Sequence, residues 1–145
     1  MTHYTEKSIQ FFQDLDKHKL QLVDDFYAQE ASFMDPLGKI QGRKSLKAYY
    51  EMMYEHVTEI QFNFTNTNSW EEHVYLHWTM IFKSKKLKKG KTIELDGLSY
   101  IKFNQDGKAI HHQDSFDIGS MLYEHIPVLG YFVKKIKKRL EHTSP

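Results

Sequence analysis

The sequence has no cysteine, only three prolines and seven glycines, and no apolar run near the ~20 residues of a membrane span. The missing thiols exclude a disulfide scaffold and every thiolate metal site. Charge of one sign is also lacking: 20 basic residues against 19 acidic ones leave a formal net charge of +1, so no global field selects nucleic acid as a partner. Residues 1–7 lack the basic-then-apolar pattern of a signal peptide. There is no internal repeat, no linker, no glycine-rich phosphate loop and no Gly-x-Ser-x-Gly elbow. What is present is 145 residues, the size of one domain, with 40% hydrophobic and 14% aromatic side chains, enough for a core. The expected class is a soluble, cytoplasmic globular domain.

The near-zero charge hides a pattern. Lys83, Lys85, Lys86, Lys88, Lys89 and Lys91 form one basic stretch, and Lys134, Lys135, Lys137, Lys138 and Arg139 another, with no acid in either. The rest of the chain is left with nine basic against 19 acidic residues. A solvated hairpin tip and a solvated helix face account for such runs most simply.

Periodicity divides the chain in two. Ile9, Phe12 and Leu15 share a helical face, and Leu22, Val23, Phe26 and Tyr27 form a second stripe, with Asp16 placed to cap the second helix. A short strand, Ala31 to Met34, stops at the turn Asp35-Pro36-Leu37-Gly38. Leu46, Tyr49, Tyr50, Met53 and Val57 then predict a third helix of about four turns after Gly42. Beyond it the period becomes two: Ile60, Phe62 and Phe64; Leu76, Trp78, Met80 and Phe82; Ile93 to Phe103; and a last strand from Ala109 to Phe116, joined to its predecessor by a hairpin at Asn104–Gly107. Helices first and strands afterwards predict an α+β fold, with helices packed on one face of a curved antiparallel sheet. The tail is helical again after an interruption at Pro127, with Leu129, Phe132, Val133, Ile136 and Leu140 opposite the second basic cluster.

Two constellations could carry chemistry. Asp35 follows an apolar strand, where desolvation would raise a carboxylate towards general-base values; alternatively it only caps the Asp-Pro turn. His112, Asp114 and Phe116 share one strand face. A regular hairpin at Asn104–Gly107 would set Ser99 opposite His112 and Gly97 opposite Asp114, with Asp96 on the other face; a one-residue bulge would change this register. That His and Asp could equally be a solvated strand face. Nine histidines include no His-x-x-x-His or Glu-x-x-His helix pair, so no metal and no other cofactor is expected.

The segments Phe26–Gly38 with Gly42-Arg43, and Gly107–Asp117, resemble the entry and closing strands of the nuclear transport factor 2-like superfamily, in its SnoaL-like and ketosteroid isomerase-like branch. The tail from Met121 to Gly130 resembles a bacterial subgroup without an assigned activity. The resemblance covers about residues 4–117. It implies a cone-shaped curved antiparallel sheet wrapped around the N-terminal helices, over residues 1–119, with a C-terminal helical extension over 120–145. It places Asp35 on the isomerase's general base, Phe11 and Ser99 where that enzyme has its two oxyanion donors, and Tyr27 and Tyr50 on supporting tyrosines. His112, Asp114 and Phe116 fall on pocket-lining positions, and Trp78 is placed in the same wall. The base is therefore kept and the oxyanion hole is not, which argues against a plain steroid isomerase. SnoaL-like polyketide cyclases use acid–base residues around a closing-strand aspartate, a role that would fall to Asp114.

The resulting expectation is a pocket for a small apolar carbonyl compound. Asp35 would be the base in an isomerase- or cyclase-like reaction, with Asp114, His112 and Tyr50 as relay or oxyanion donors. The rival is a non-catalytic ligand-binding or dimerisation module. Tyr75, His77, Thr79 and Ile81 on the outward sheet face predict a homodimer. The basic tail is expected to dock on its own domain over the cone mouth, with an anionic membrane surface as the alternative.

Overall fold

The computed structural model describes residues 3–117, residue 119 and residues 135–141. Three helices come first: α1 (His3–Asp14), α2 (Gln21–Phe26) and, after the hairpin β1 (Tyr27–Asp35) and β2 (Gly38–Gln41), α3 (Arg43–Tyr54). Four long strands follow: β3 (Val57–Trp70), β4 (His73–Ser84), β5 (Ile93–Phe103) and β6 (Ala109–Phe116). They form one curved, unclosed six-stranded sheet in the order β2-β1-β6-β5-β4-β3. Register shifts in β3–β4, β5–β6 and β1–β6 mark irregularities of the kind that bend a strand and increase its twist. Residues 135–141 are helical. The α+β cone with a C-terminal helix is the fold the sequence predicts.

The concave face of the sheet wraps α1 and α3. Its core joins Phe11, Phe12 and Leu15 of the first segment to Phe26, Tyr27, Leu46 and Tyr50, and to Val74, Leu76, Trp78, Ile101 and Phe103 on the strands. Strand residues at i and i+2 share a face, which is why the alternating apolar positions of β4 and β5 are the buried ones.

Several details differ from the expectation. The sheet is not wholly antiparallel: β1 and β6 run parallel, with Phe33 level with His112. Tyr27 is the first residue of β1 rather than the end of a helix, because it pairs with Ala109 and takes extended angles (φ −97°, ψ 145°). Val57 opens β3 opposite Ser84 instead of closing α3. Asp16 caps no helix; its carboxylate accepts the His18 N–H (2.8 Å) in the turn before α2. The regular β5–β6 hairpin is also corrected. Phe103 faces Ala109 but Lys102 faces His111, so Ile110 is left over as an extra residue. Ser99 therefore faces Asp114, and Gly97 faces Phe116. Beyond Ile110 the displacement is two residues, an even number, so Ser99, His112 and Asp114 stay on their expected face; Ala109, before the extra residue, is shifted by one and turns inward opposite Phe103. Asp96 lies on the outer face, hydrogen bonded to Thr79 (2.6 Å).

Of the tail, Leu129, Phe132 and Val133 lie outside the described residues, as does Pro127. Ile136 and Leu140 are exposed, and Lys137 pairs with Asp117. No helix among the described residues is long and apolar enough to cross a membrane.

Candidate functional site

The inward faces of β3, β4 and β6, closed by α3, leave a cavity of about 300 Å³, at the lower end of the range of small-molecule sites. Its wall is mostly apolar: Phe12, Phe33, Met53, Ile60, Phe62, Trp78, Met80, Phe82 and Phe116. Against that wall stand two carboxylates, Asp35 and Asp114, and the phenols of Tyr49 and Tyr50.

Asp114 is the end of a hydrogen-bonded chain that runs behind the cavity. The Trp78 indole N–H donates to Ser99 Oγ (2.8 Å), and Ser99 donates onward to Asp114 Oδ1 (2.5 Å). An indole nitrogen can only donate, so the direction of both bonds is fixed. His112 Nε2 meets the same Oδ1 at 2.6 Å, and its Nδ1 meets the Tyr27 hydroxyl at 2.6 Å. Tyr27 in turn lies 2.8 Å from the Tyr50 hydroxyl. With Asp114 ionised, its partners assign the proton of a neutral His112 to Nε2. Nδ1 then accepts from Tyr27, and Tyr27 accepts from Tyr50. The register places these groups. Asp114 sits opposite Ser99 across β5–β6, Ser99 sits opposite Leu76 two residues from Trp78, and His112 lies fully buried one inward position along β6.

Gly97 makes this arrangement fit. It lies opposite Trp78 on the neighbouring strand, and a Cβ there would come within 2.2 Å of the indole ring. Only a residue without a side chain lets the indole lie over that strand and reach Ser99.

The environment keeps the phenols neutral. Burial pushes Tyr27 and Tyr50 well above the usual tyrosine range; for Tyr27 the bond from Tyr50 works the other way. Burial also raises Tyr54, and it raises Tyr49, with the hydrogen bond to Asp35 adding to it. Each hydroxyl therefore remains a donor and acceptor at ordinary pH.

Asp35 is held differently. One carboxylate oxygen accepts the Leu37 N–H (2.8 Å), which is the Asp-Pro turn, and the other accepts the Tyr49 hydroxyl. It is turn cap and cavity wall at once. Asp114, by contrast, offers Oδ2 with no hydrogen bond from any described residue, and its side chain is 15% exposed.

The structure thus brings Asp35, Tyr50, Asp114, Trp78 and Phe116 to one cavity. His112, Tyr27 and Ser99 do not line it; they lie behind it and reach it through Asp114 and Tyr50. Phe11 does not reach it either: it is a core ring stacked on Phe26 (4.1 Å between centroids) and edge-on to Tyr50. Tyr49 is the residue sequence reasoning missed. It lay on the recognised α3 stripe, but nothing in that stripe says which carboxylate its hydroxyl meets.

The fold has relatives. A family model described as a SnoaL-like domain matches residues 9–112. A structure from Shewanella denitrificans described as a SnoaL-like polyketide cyclase superposes with a TM-score of 0.72 at 20% identity, covering 83% of this chain and 95% of that one. An NTF2-like protein of unknown function from Burkholderia pseudomallei gives 0.72 at 17% identity, covering 84% and 96%. A protein with a ketosteroid isomerase-like fold from Catenulispora acidiphila, in complex with trimethylamine, gives 0.69 at 11% identity, covering 84% and 91%. No curated protein sequence matches. These structural likenesses bear on the fold alone, but the family model spans most of the cone, from α1 to His112 of β6, and so the chain belongs to the SnoaL-like domain family.

Proposed function

We propose that the cone binds a small apolar carbonyl compound and moves a proton next to its carbonyl, as in isomerisation or aldol-type cyclisation. Asp114, rather than the expected Asp35, is the base. The observation that carries this is the division of labour within one carboxylate. Asp114 Oδ1 is fixed by Ser99 and His112, while Oδ2 has no donor among the described residues at an apolar cavity wall. A base needs that combination of fixed geometry and an available lone pair.

The chain behind it supplies the complement. A turn of the Tyr50 hydroxyl away from Tyr27 points its proton into the cavity. There it meets the oxygen of a forming enolate as Asp114 Oδ2 takes the α-proton. Return of that proton to another carbon completes an isomerisation; in a cyclisation the enolate carbon attacks a second carbonyl, whose C=O π bond opens to an alkoxide that takes the proton back from Asp114. Asp35 and Tyr49 border the ligand at the same end of the cavity.

The test is deuterium incorporation next to the carbonyl of apolar cyclic ketones in D₂O, followed by NMR. Exchange well above buffer is expected. Ketones that bind in the cavity without any exchange would support the non-catalytic ligand-binding module instead.

We also propose assembly as a homodimer through the outer sheet face, where Tyr75 (43% exposed), opposite Tyr100, and Leu98 (46%), opposite His77, share one exposed side of β4–β5. Sedimentation at tens of micromolar should give twice the chain mass, and Tyr75→Glu with Leu98→Glu should halve it. A clean monomer of the unmodified protein would exclude the dimer.

A further inference from the structure

The cavity is electrically polar along its length. Asp114 and Asp35 stand at one end of its wall. At the other, where β4 runs out, the lining is Ser84, Lys86 and Leu87, with His56 from the end of α3. Between these ends the β4 contribution is Trp78, Met80 and Phe82, flanked by Ile60, Met53 and Phe116. Lys86 is held at this rim through its backbone, whose N–H donates to the buried Ser84 hydroxyl (3.2 Å), while its side chain is exposed. Its neighbours are Lys85, Lys88, Lys89 and Lys91, and none of the five has a carboxylate within ion-pair distance among the described residues; Lys83 has Glu59 and His56 has Glu55. Unpaired cations at a rim, facing two carboxylates across an apolar slot, constitute a site with a preferred ligand direction.

We propose that the ligand is an anionic amphiphile, a carboxylate or other acidic head on an apolar body, with the head at Lys86 and the apolar body running inward past Phe82 and Met80 towards Asp114. This rests on the cavity being the ligand site, and it deepens that reading by naming the ligand's chemistry and direction. An acidic head at the inner end would meet Asp114 and Asp35 and be repelled; at the rim it stays hydrated and gains the lysine field. The reactive carbonyl of such a ligand is therefore remote from its acid group.

The experiment uses three probes with the same chain: dodecanoate and dodecyltrimethylammonium below their micelle concentrations, and dodecanol below its solubility limit. They are titrated at low salt into the full protein and read by calorimetry and by the NMR resonance of the Trp78 indole N–H. Dodecanoate should bind about threefold to fivefold tighter than dodecanol, the scale of one solvated charge pair, and the cation weakest. Lys86→Gln should erase that preference without weakening dodecanol. Lys85→Gln, whose side chain does not line the cavity, should leave most of it. Equal affinity of acid and alcohol, or a preference that survives Lys86→Gln, would overturn the proposal while leaving the apolar site intact. Failure of all three probes to bind or to move the Trp78 signal would overturn the cavity reading with it. Binding of the protein to anionic vesicles with no dodecanoate binding would mark the lysines as a membrane patch and equally overturn the proposal.

Discussion

Asp114→Asn should slow α-proton exchange by about 10²–10⁴-fold while leaving ketone affinity within a few-fold. The amide keeps the shape and can still accept from Ser99, but it cannot take a proton. With the amide oxygen at the Oδ1 position it also still accepts from His112 Nε2, and the NH₂ group takes the place of Oδ2, where the lone pair of the base would be. Asp35→Asn serves as the internal comparison. Its two oxygens are already occupied by the Leu37 N–H and the Tyr49 hydroxyl, so its loss should act mainly on stability and on KM. A deep loss of turnover in Asp35→Asn beside an active Asp114→Asn would return the base to Asp35 and contradict the assignment.

Gly97→Ala should be the most destabilising of the single-methyl additions. The new Cβ would stand 2.2–2.7 Å from three atoms of the Trp78 ring, too close for a rigid indole to absorb without moving. Overpacking of this kind costs about 1–3 kcal/mol, roughly 3–10 °C in Tm for a chain of this size. The second consequence is chemical. Trp78 would leave Ser99, and Ser99 would lose the donor that directs its own proton onto Asp114. The measurements are thermal unfolding and the Trp78 indole N–H resonance, which should shift or broaden. An unchanged Tm and resonance would mean that the sheet yields easily at Gly97 and that the glycine is not what seats the indole.

These expectations draw on residues that were legible in the sequence to different degrees. The inward face of β4 and β5 could be read directly, because alternation alone separates Leu76, Trp78, Met80 and Phe82 from Tyr75, His77 and Thr79. The same rule brought Asp114 and His112 to one face. It could not say that Ser99, not Gly97, faces Asp114, because the extra residue Ile110 carries no glycine or proline to announce a bulge. Tyr27 was read as helical because its spacing from Val23 continues the stripe; the pairing that makes it a strand is with Ala109, 82 residues away. Phe11 was placed in the pocket by resemblance alone, and an apolar side chain at that position sinks into the core against Phe26 instead. The chain from Trp78 to Tyr50 was out of reach, since it needs β4, β5, β6, β1 and α3 to be brought together first.

An apolar carbonyl compound should lie in the cone with its α-carbon against Asp114, and a crystal structure with a cyclic ketone bound would show it. The ring is expected between Met80, Met53 and Phe116, with the α-carbon facing Asp114 Oδ2 and the carbonyl oxygen within reach of the Tyr50 hydroxyl. A ketone bound in the cone with its carbonyl turned away from Asp114, or bound only on the outer sheet face, would contradict it.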